Sequence, residues 1–258
     1  MAAVTTLRGE AAVALPDGKE KNYAVALTLP AGVSAGGPHA CAVLLLAGAG
    51  GGMDAPLLVA LAEALAARTR FPVLRFECRG PAFDRRVLVA NAVMRPRAAC
   101  GLACARWVAV GTSLGARVAA RLVADGAACA AAMLAFPLLS STGESRLEQL
   151  LAAPRAAPAA PLLLARGERD TSAPPGPWAE ALSALSHAGA TPLLHTIPGA
   201  GHSLDAPAAT KDAERERLLA AVAAFVADAA QGGDATAQGA EAGAGAAADE
   251  QPAKRQRQ

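Results

Sequence analysis

"VAVGTSLGARVAA", Val108 to Ala120, decides how the rest of the chain is read. An apolar run leads into it, a run with helical spacing leads out, and Ser113 stands between Gly111 and Gly115. G-x-S-x-G between a strand and a helix describes a turn so tight that the residues two before and two after the serine must be small. The turn brings the two backbones together and holds the serine oxygen clear of them. In a chain with 25 glycines the five-residue pattern decides nothing alone. A nucleophilic serine also needs a base, an acid to orient that base and an oxyanion site, each where the fold dictates.

Working outward, the chain alternates strand-like and helix-like segments. "NYAVALTLP" reads as a strand stopped at Pro30, and "CAVLLLAG" as a strand buried on both faces. "APLLVALAEALAAR" has helical spacing with Pro56 suited to a first turn. "PVLRFEC", "RWVAVGTS", "AAAMLAFPLL", "APLLLARGERD" and "TPLLHTIPGAGH" supply further strands. Between and after them, "DRRVLVANAVMR", "GARVAARLVADG", "SRLEQLLAA", "PWAEALSALSHAG" and "DAERERLLAAVAAFVADAA" supply helices, two of them closed by Gly126 and Gly189. This alternation predicts an α/β domain with a mostly parallel central sheet covered by helices on both faces. The expected organisation is a lead-in over 1–21, the domain over 22–228 and a disordered Ala/Gly-rich tail over 229–258, which lacks the large apolar residues needed to offset its ordering entropy. Its closing KRQR reads as a solvated charged end, with a nuclear signal as the alternative.

Composition narrows the function classes. A net charge of +2 gives no strong field for nucleic acid or anionic membranes. No apolar run reaches the ~18 residues of a membrane span, and the N-terminal residues lack the basic-then-apolar pattern of a secretion signal. The expectation is a soluble cytoplasmic protein. The five cysteines, an odd number in mostly apolar surroundings, read as buried reduced thiols. Cys100 and Cys104 have no second Cys/His pair at ligand spacing, so no metal site is expected. Alanine is roughly a quarter of the chain, far above ordinary usage, and says little about burial, so the core is read from Leu, Val, Ile, Phe and Met.

In a parallel sheet, catalytic groups gather at the carboxyl ends of the strands. Asp170 sits just past the strand "LLLARG", with Gly167 as the turn; a turn-capping aspartate beside Thr171 and Ser172 is the alternative. His202, flanked by Gly201 in the loop before the last helix, is the candidate base, whereas His39, His187 and His195 sit in plainer settings. Ser, then Asp, then His is the chain order of the α/β-hydrolase arrangement. "LAGAGGGMD" follows the first buried strand. A dinucleotide loop needs glycine where Met53 stands, and a Walker loop needs a lysine, so neither fits. It reads as an oxyanion loop, with the N–H groups of Ala49 and Leu114 as donors and Gly48 and Gly50 beside them.

With these pieces placed, the chain resembles the α/β-hydrolase superfamily. Within it, it is similar to the small group containing testis-expressed protein 30 and subunit 3 of the NSL chromatin complex, itself similar to dienelactone hydrolases. The residues carrying this are "LLLAGAGGGMD", "PVLRFECRG", "AVGTSLGARVA", "RLEQLL", "PLLLARGERD" and "GAGHSL", together covering 44–204. The resemblance implies Ser113 as nucleophile, His202 as base and Asp170 as its partner, with no metal or organic cofactor. Ala47 stands where the family favours histidine, Thr112 where the group favours arginine, and Glu77 and Cys78 where it favours Asn and Phe. The expected activity is cleavage of a small-molecule acyl ester or thioester. A non-catalytic module with a protein partner in a chromatin complex is the alternative. Residues 138–160 are the expected small cap, leaving an open site. Arg75, Arg79, Arg85 and Arg86, near a strand end, read either as solvated surface arginines or as attractors of an anionic substrate.

Overall fold

The computed structural model describes residues 3–80 and 82–242. Eight strands form one sheet: β1 (Val4–Ala14), β2 (Glu20–Pro30), β3 (Pro38–Leu46), β4 (Val73–Phe76), β5 (Ala103–Thr112), β6 (Ala130–Leu134), β7 (Leu162–Gly167) and β8 (Leu193–Ile197). Their spatial order is β1-β2-β4-β3-β5-β6-β7-β8; β2 pairs antiparallel with both β1 and β4, and the remaining pairings are parallel. The helices are α1 (Pro56–Thr69), α2 (Phe83–Val93), α3 (Leu114–Ala124), α4 (Leu147–Ala156), α5 (Pro175–His187) and α6 (Lys211–Ala242).

The continuous apolar runs of β3 and β5 follow from cover on both faces. Successive side chains of a strand point to opposite faces. Val43, Leu45, Val108 and Val110 therefore join Leu61 and Leu65 of α1 and Leu218 and Val222 of α6. Leu44, Leu46 and Trp107 face the other way, onto Val89 of α2, Val118 of α3, Leu150 of α4 and Leu185 of α5. Truncating one of the fully buried leucines, such as Leu44 or Leu65, to alanine is expected to cost about 2–5 kcal/mol.

Two boundaries differ from the sequence reading. The expected lead-in over 1–21 carries an edge strand: β1 pairs with β2 along all 11 of its residues. Only Ala11 and Val13 of β1 are buried, so a strand with one covered end and two solvated faces carries little hydrophobic signal. At the other end, residues 229–242, expected to begin a disordered tail, continue α6. Alanine is the best helix former, and Ala229 and Ala230 are still buried, so propensity carries the helix beyond its last large apolar anchor. The rest of the expected tail, KRQR included, lies outside the described residues.

Candidate functional site

Ser113 sits between the end of β5 and the start of α3 with φ 53° and ψ −114°, a conformation that non-glycine residues rarely adopt. Such a backbone costs about 1–3 kcal/mol and persists where its surroundings over-determine it. Here they do. The Ser113 N–H donates to the Leu134 carbonyl of β6 at 2.8 Å, and the Arg117 N–H donates to the Ser113 carbonyl at 3.3 Å. A Cβ on Gly111 would lie 2.1 Å from the Gly115 carbonyl oxygen, and one on Gly115 would lie 2.1 Å from that of Leu46. The ends of β3 and β5 and the first turn of α3 thus meet backbone to backbone. Gly48 packs on the elbow as well, since a Cβ there would approach Ser113 Cβ to 3.3 Å. Gly50 differs: a Cβ there meets nothing within 4 Å, so the loop does not need glycine at that position.

A second backbone contact joins the loops after β7 and β8. A Cβ on Gly167 would lie 2.2 Å from the Gly201 carbonyl oxygen. The Arg169 N–H donates to the Ala200 carbonyl at 2.8 Å, and the Glu168 carboxylate accepts the Gly199 N–H at 2.7 Å. Asp170 and His202 are carried together by this pairing. Sequence reading saw Gly167 as a turn residue and missed Glu168. The Asp170 side chain is buried and its two oxygens lie 2.9 and 3.1 Å from His202 Nδ1. Burial pushes its pKa up, but hydrogen bonds from His202 and from the Ser172 N–H, 2.8 Å away, outweigh that and hold it below the ordinary aspartate value. An ionised carboxylate only accepts hydrogen bonds, so Nδ1 carries a proton toward it. In the neutral ring this leaves Nε2 as acceptor, 2.8 Å from Ser113 Oγ, whose hydroxyl donates.

The loop over 47–54 is anchored by Arg86, Glu77 and Arg75, of which sequence reading took the two arginines for surface residues or substrate attractors. Arg86 of α2, only 3% exposed, donates through Nη1 to the Ala47 carbonyl at 2.6 Å and through Nη2 to the Gly48 and Gly80 carbonyls at 3.1 Å each. The Glu77 carboxylate accepts the Met53 N–H at 2.8 Å and fills the space beside Gly52. Arg75 is also buried and donates to the Met53 carbonyl at 3.2 Å. Arg75 and Arg86 are therefore neither solvated nor turned toward a substrate: they satisfy loop carbonyls. The exposed Arg79 pairs with Glu77 at 2.6 Å.

Ala49, Leu114, Ser113 and His202 line one pocket of about 490 Å³. Leu114 opens α3, where the first N–H groups have no intrahelical acceptor and the helix dipole is positive. The opposite wall comes from the segment expected as a cap. Ser140, Ser141 and Arg146 face the pocket, while Leu150 and Leu151 of α4 turn into the core. This wall is polar rather than a large apolar lid. Arg117 of α3 completes the rim. The five cysteines are free thiols; burial pushes Cys41 and Cys104 up to about 12. Among the described residues no group of three or more His, Cys, Asp or Glu side chains converges to hold a metal. No described helix is long and apolar enough to cross a membrane.

Residues 39–231 match the family described as alpha/beta hydrolase domain, and the chain belongs to that family. Solved structures share the fold. An esterase from Pyrococcus furiosus is 18% identical with a TM-score of 0.63, covering 85% of this chain and 89% of its own. A provisionally assigned dienelactone hydrolase from Klebsiella pneumoniae is 17% identical with a TM-score of 0.62, covering 84% and 98%. A Coxiella burnetii protein described as an alpha-beta serine hydrolase homologue is 17% identical with a TM-score of 0.56, covering 85% and 96%. No curated protein sequence matches the chain.

Proposed function

We propose that the chain is a serine hydrolase that cleaves a carboxylic ester or thioester of a small molecule through an acyl-enzyme. The observation that carries this reading is the hydrogen-bonded chain from Ser113 Oγ through His202 to buried Asp170, opening into a pocket at the strand ends. As the Ser113 oxygen adds to the acyl carbonyl carbon, its proton passes to His202 Nε2. The carbonyl oxygen becomes an oxyanion held by the Leu114 and Ala49 N–H groups. Asp170 keeps the imidazole in the tautomer that accepts at Nε2 and stabilises the imidazolium. Collapse breaks the bond to the leaving alcohol or thiol, which takes the proton from His202. Water then adds to the acyl carbon and gives its proton to His202. The carboxylic acid departs and the Ser113 hydroxyl is restored. These steps use side chains and backbone N–H groups alone.

A fluorophosphonate probe tests the reading. Wild-type protein is expected to be labelled on Ser113, with labelling abolished in Ser113→Ala and strongly slowed in His202→Ala. Absence of labelling beside an active hydrolase control overturns it. Within the family, the VLRF strand at 73–76 and the RLEQLL helix at 146–151 support a place in the group of testis-expressed protein 30 and the NSL complex subunit, acting in the cytoplasm. Stable co-purification with a chromatin complex, insensitive to Ser113→Ala and without probe labelling, would instead favour a non-catalytic role.

A further inference from the structure

Resting on the hydrolase reading, we infer that Arg117 and Arg146 form an anion-binding wall beside Ser113, so that the substrate carries a carboxylate or phosphate group near its scissile ester. The two side chains reach the pocket from different elements, Arg117 from the first turn of α3 and Arg146 from the residue before α4. Both are half-buried, and among the described residues neither forms an ion pair. No carboxylate lines the pocket with them.

Their other contacts are with neutral groups and fix them in place. Arg117 donates from Nε to Gln149 Oε1 at 2.6 Å, and its guanidinium lies 4.9 Å from the centre of the Phe83 ring. Arg146 donates from Nη1 to the Leu139 carbonyl at 3.2 Å. A guanidinium has five donors in a planar fork suited to carboxylate and phosphate, and these contacts use only one on each. The two cations repel one another: burial and then the nearby Arg146 both push the Arg117 pKa down. Arg155 and Arg121, by contrast, are paired with acids, Glu148 and Asp125. Two uncompensated guanidiniums beside the candidate nucleophile, in a wall they share with Ser140, Ser141, Pro137 and Leu139, are complementary to an anion. They are far less so to an acyl chain with no charge.

The test compares two esters with the same leaving group: 4-nitrophenyl butyrate, and the 4-nitrophenyl half-ester of glutaric acid, which ends in a carboxylate. The readout is the ratio of kcat/KM for the charged ester over the neutral one, which is internal to each preparation and does not depend on how much of it is folded. In wild type the ratio is expected to be about tenfold or more, as two charge-assisted contacts imply. It is expected to fall toward one in Arg117→Gln and Arg146→Gln, and to stay at the wild-type value in Arg155→Gln, which removes an exposed arginine from α4. A wild-type ratio near one, or a ratio unchanged in both pocket variants, overturns the inference. Calorimetric binding of phenyl phosphate and of benzoate to Ser113→Ala separates phosphate from carboxylate. It also decides the matter if neither ester is hydrolysed. In that case the hydrolase reading falls, while binding that is lost on adding either pocket substitution supports the anion wall. No binding, or binding indifferent to both substitutions, overturns it.

Discussion

Arg86 is the residue whose loss is expected to separate geometry from chemistry most clearly. It makes four hydrogen bonds to three backbone carbonyls, those of Ala47, Gly48 and Gly80, and its pKa is pushed down chiefly by burial. Its nearest effect is on the loop that carries the Ala49 N–H. Arg86→Met keeps the bulk of the stem and removes every donor. Gly48 keeps the Gly51 N–H at 3.3 Å, but leaving the Ala47 and Gly80 carbonyls without partners costs about 1–3 kcal/mol each if water cannot reach them, so a fall in stability of about 2–6 kcal/mol is expected. The catalytic effect is distinct. Removing one oxyanion donor outright costs about 10²–10³ in kcat, and a donor left present but loosely aimed is expected to cost about 10–10². KM for a neutral ester is expected to change little, because in the proposed mechanism the oxyanion contact forms only in the transition state. Steady-state kinetics well below the melting temperature, together with the affinity of a boronic acid transition-state analogue, distinguish this from partial unfolding. The affinity for the analogue is expected to fall in parallel with kcat/KM. Arg86→Lys, which can reach one carbonyl at a time, is expected to lie between. A folded Arg86→Met protein with kcat within about twofold of wild type would refute the argument that this side chain aims the loop.

The backbone-packed glycines give a graded set. Gly115→Ala and Gly111→Ala put a methyl 2.1 Å from a carbonyl oxygen and are expected to lose more than about 3 kcal/mol in urea denaturation. Gly50→Ala, with nothing within 4 Å, is expected to stay within about 0.5 kcal/mol of wild type. Ser113→Gly is expected to be about 1 kcal/mol more stable than Ser113→Ala, because only glycine relieves the φ of 53°; equal melting curves would contradict that strain. Asp170 has a folded pKa below its ordinary value, 3.8, so it contributes stability above that value and loses it as pH falls through the lower, folded one. The gap in melting temperature between wild type and Asp170→Asn is expected to close as pH falls below about 4. Cys41 and Cys104, pushed up to about 12, are expected to resist a thiol reagent at pH 8 in the native state and to react once the protein is denatured; fast native labelling of either would show that burial does not control them.

The elements that lie between covered faces could be read from the chain because their apolar pattern has one cause. β3, β5, β6 and β7 were each visible as apolar runs, and the glycines at 111, 115 and 167 marked where they turn. β1 escaped because an edge strand with mostly exposed side chains carries almost no such pattern. Ser113, Asp170 and His202 could be picked out from their positions after strands and their order. Their mutual distances could not, since these depend on the register that sets Leu46 beside Gly111 and Gly167 beside Ile197. The arginines show the limit most plainly. Arg75, Arg79, Arg85 and Arg86 looked alike in sequence, yet two of them are buried under loop carbonyls. Arg117 and Arg146, 29 positions apart and in segments read only as helix and cap, face the same pocket. Sequence order records a charge but not which side of a turn it emerges from.

Alanine shows why the elbow can be as tight as it is. Its abundance looked uninformative about burial, yet Ala130, Ala131 and Ala132 of β6 and Ala116, Ala119 and Ala120 of α3 are wholly buried. A helix can approach a sheet only as closely as the side chains between them allow. Of these alanines, Ala131 of β6 faces α3 together with Ala109 of β5, opposite Ala116, Ala119 and Ala120; these small side chains let α3 lie low on β5 and β6, and this close approach is what makes the Gly115 carbonyl meet Gly111 and the Leu46 carbonyl meet Gly115. The strained Ser113 backbone is then held by three converging main chains rather than by any large side chain. Packing enthalpy per residue is smaller in such a core, because each alanine buries little area. The compensation is positional: backbone contacts between rigid elements have few alternative arrangements, so the serine oxygen is fixed relative to His202 without a bulky support. A composition that lowers the hydrophobic contribution of the core therefore sharpens the geometry at the turn that carries Ser113.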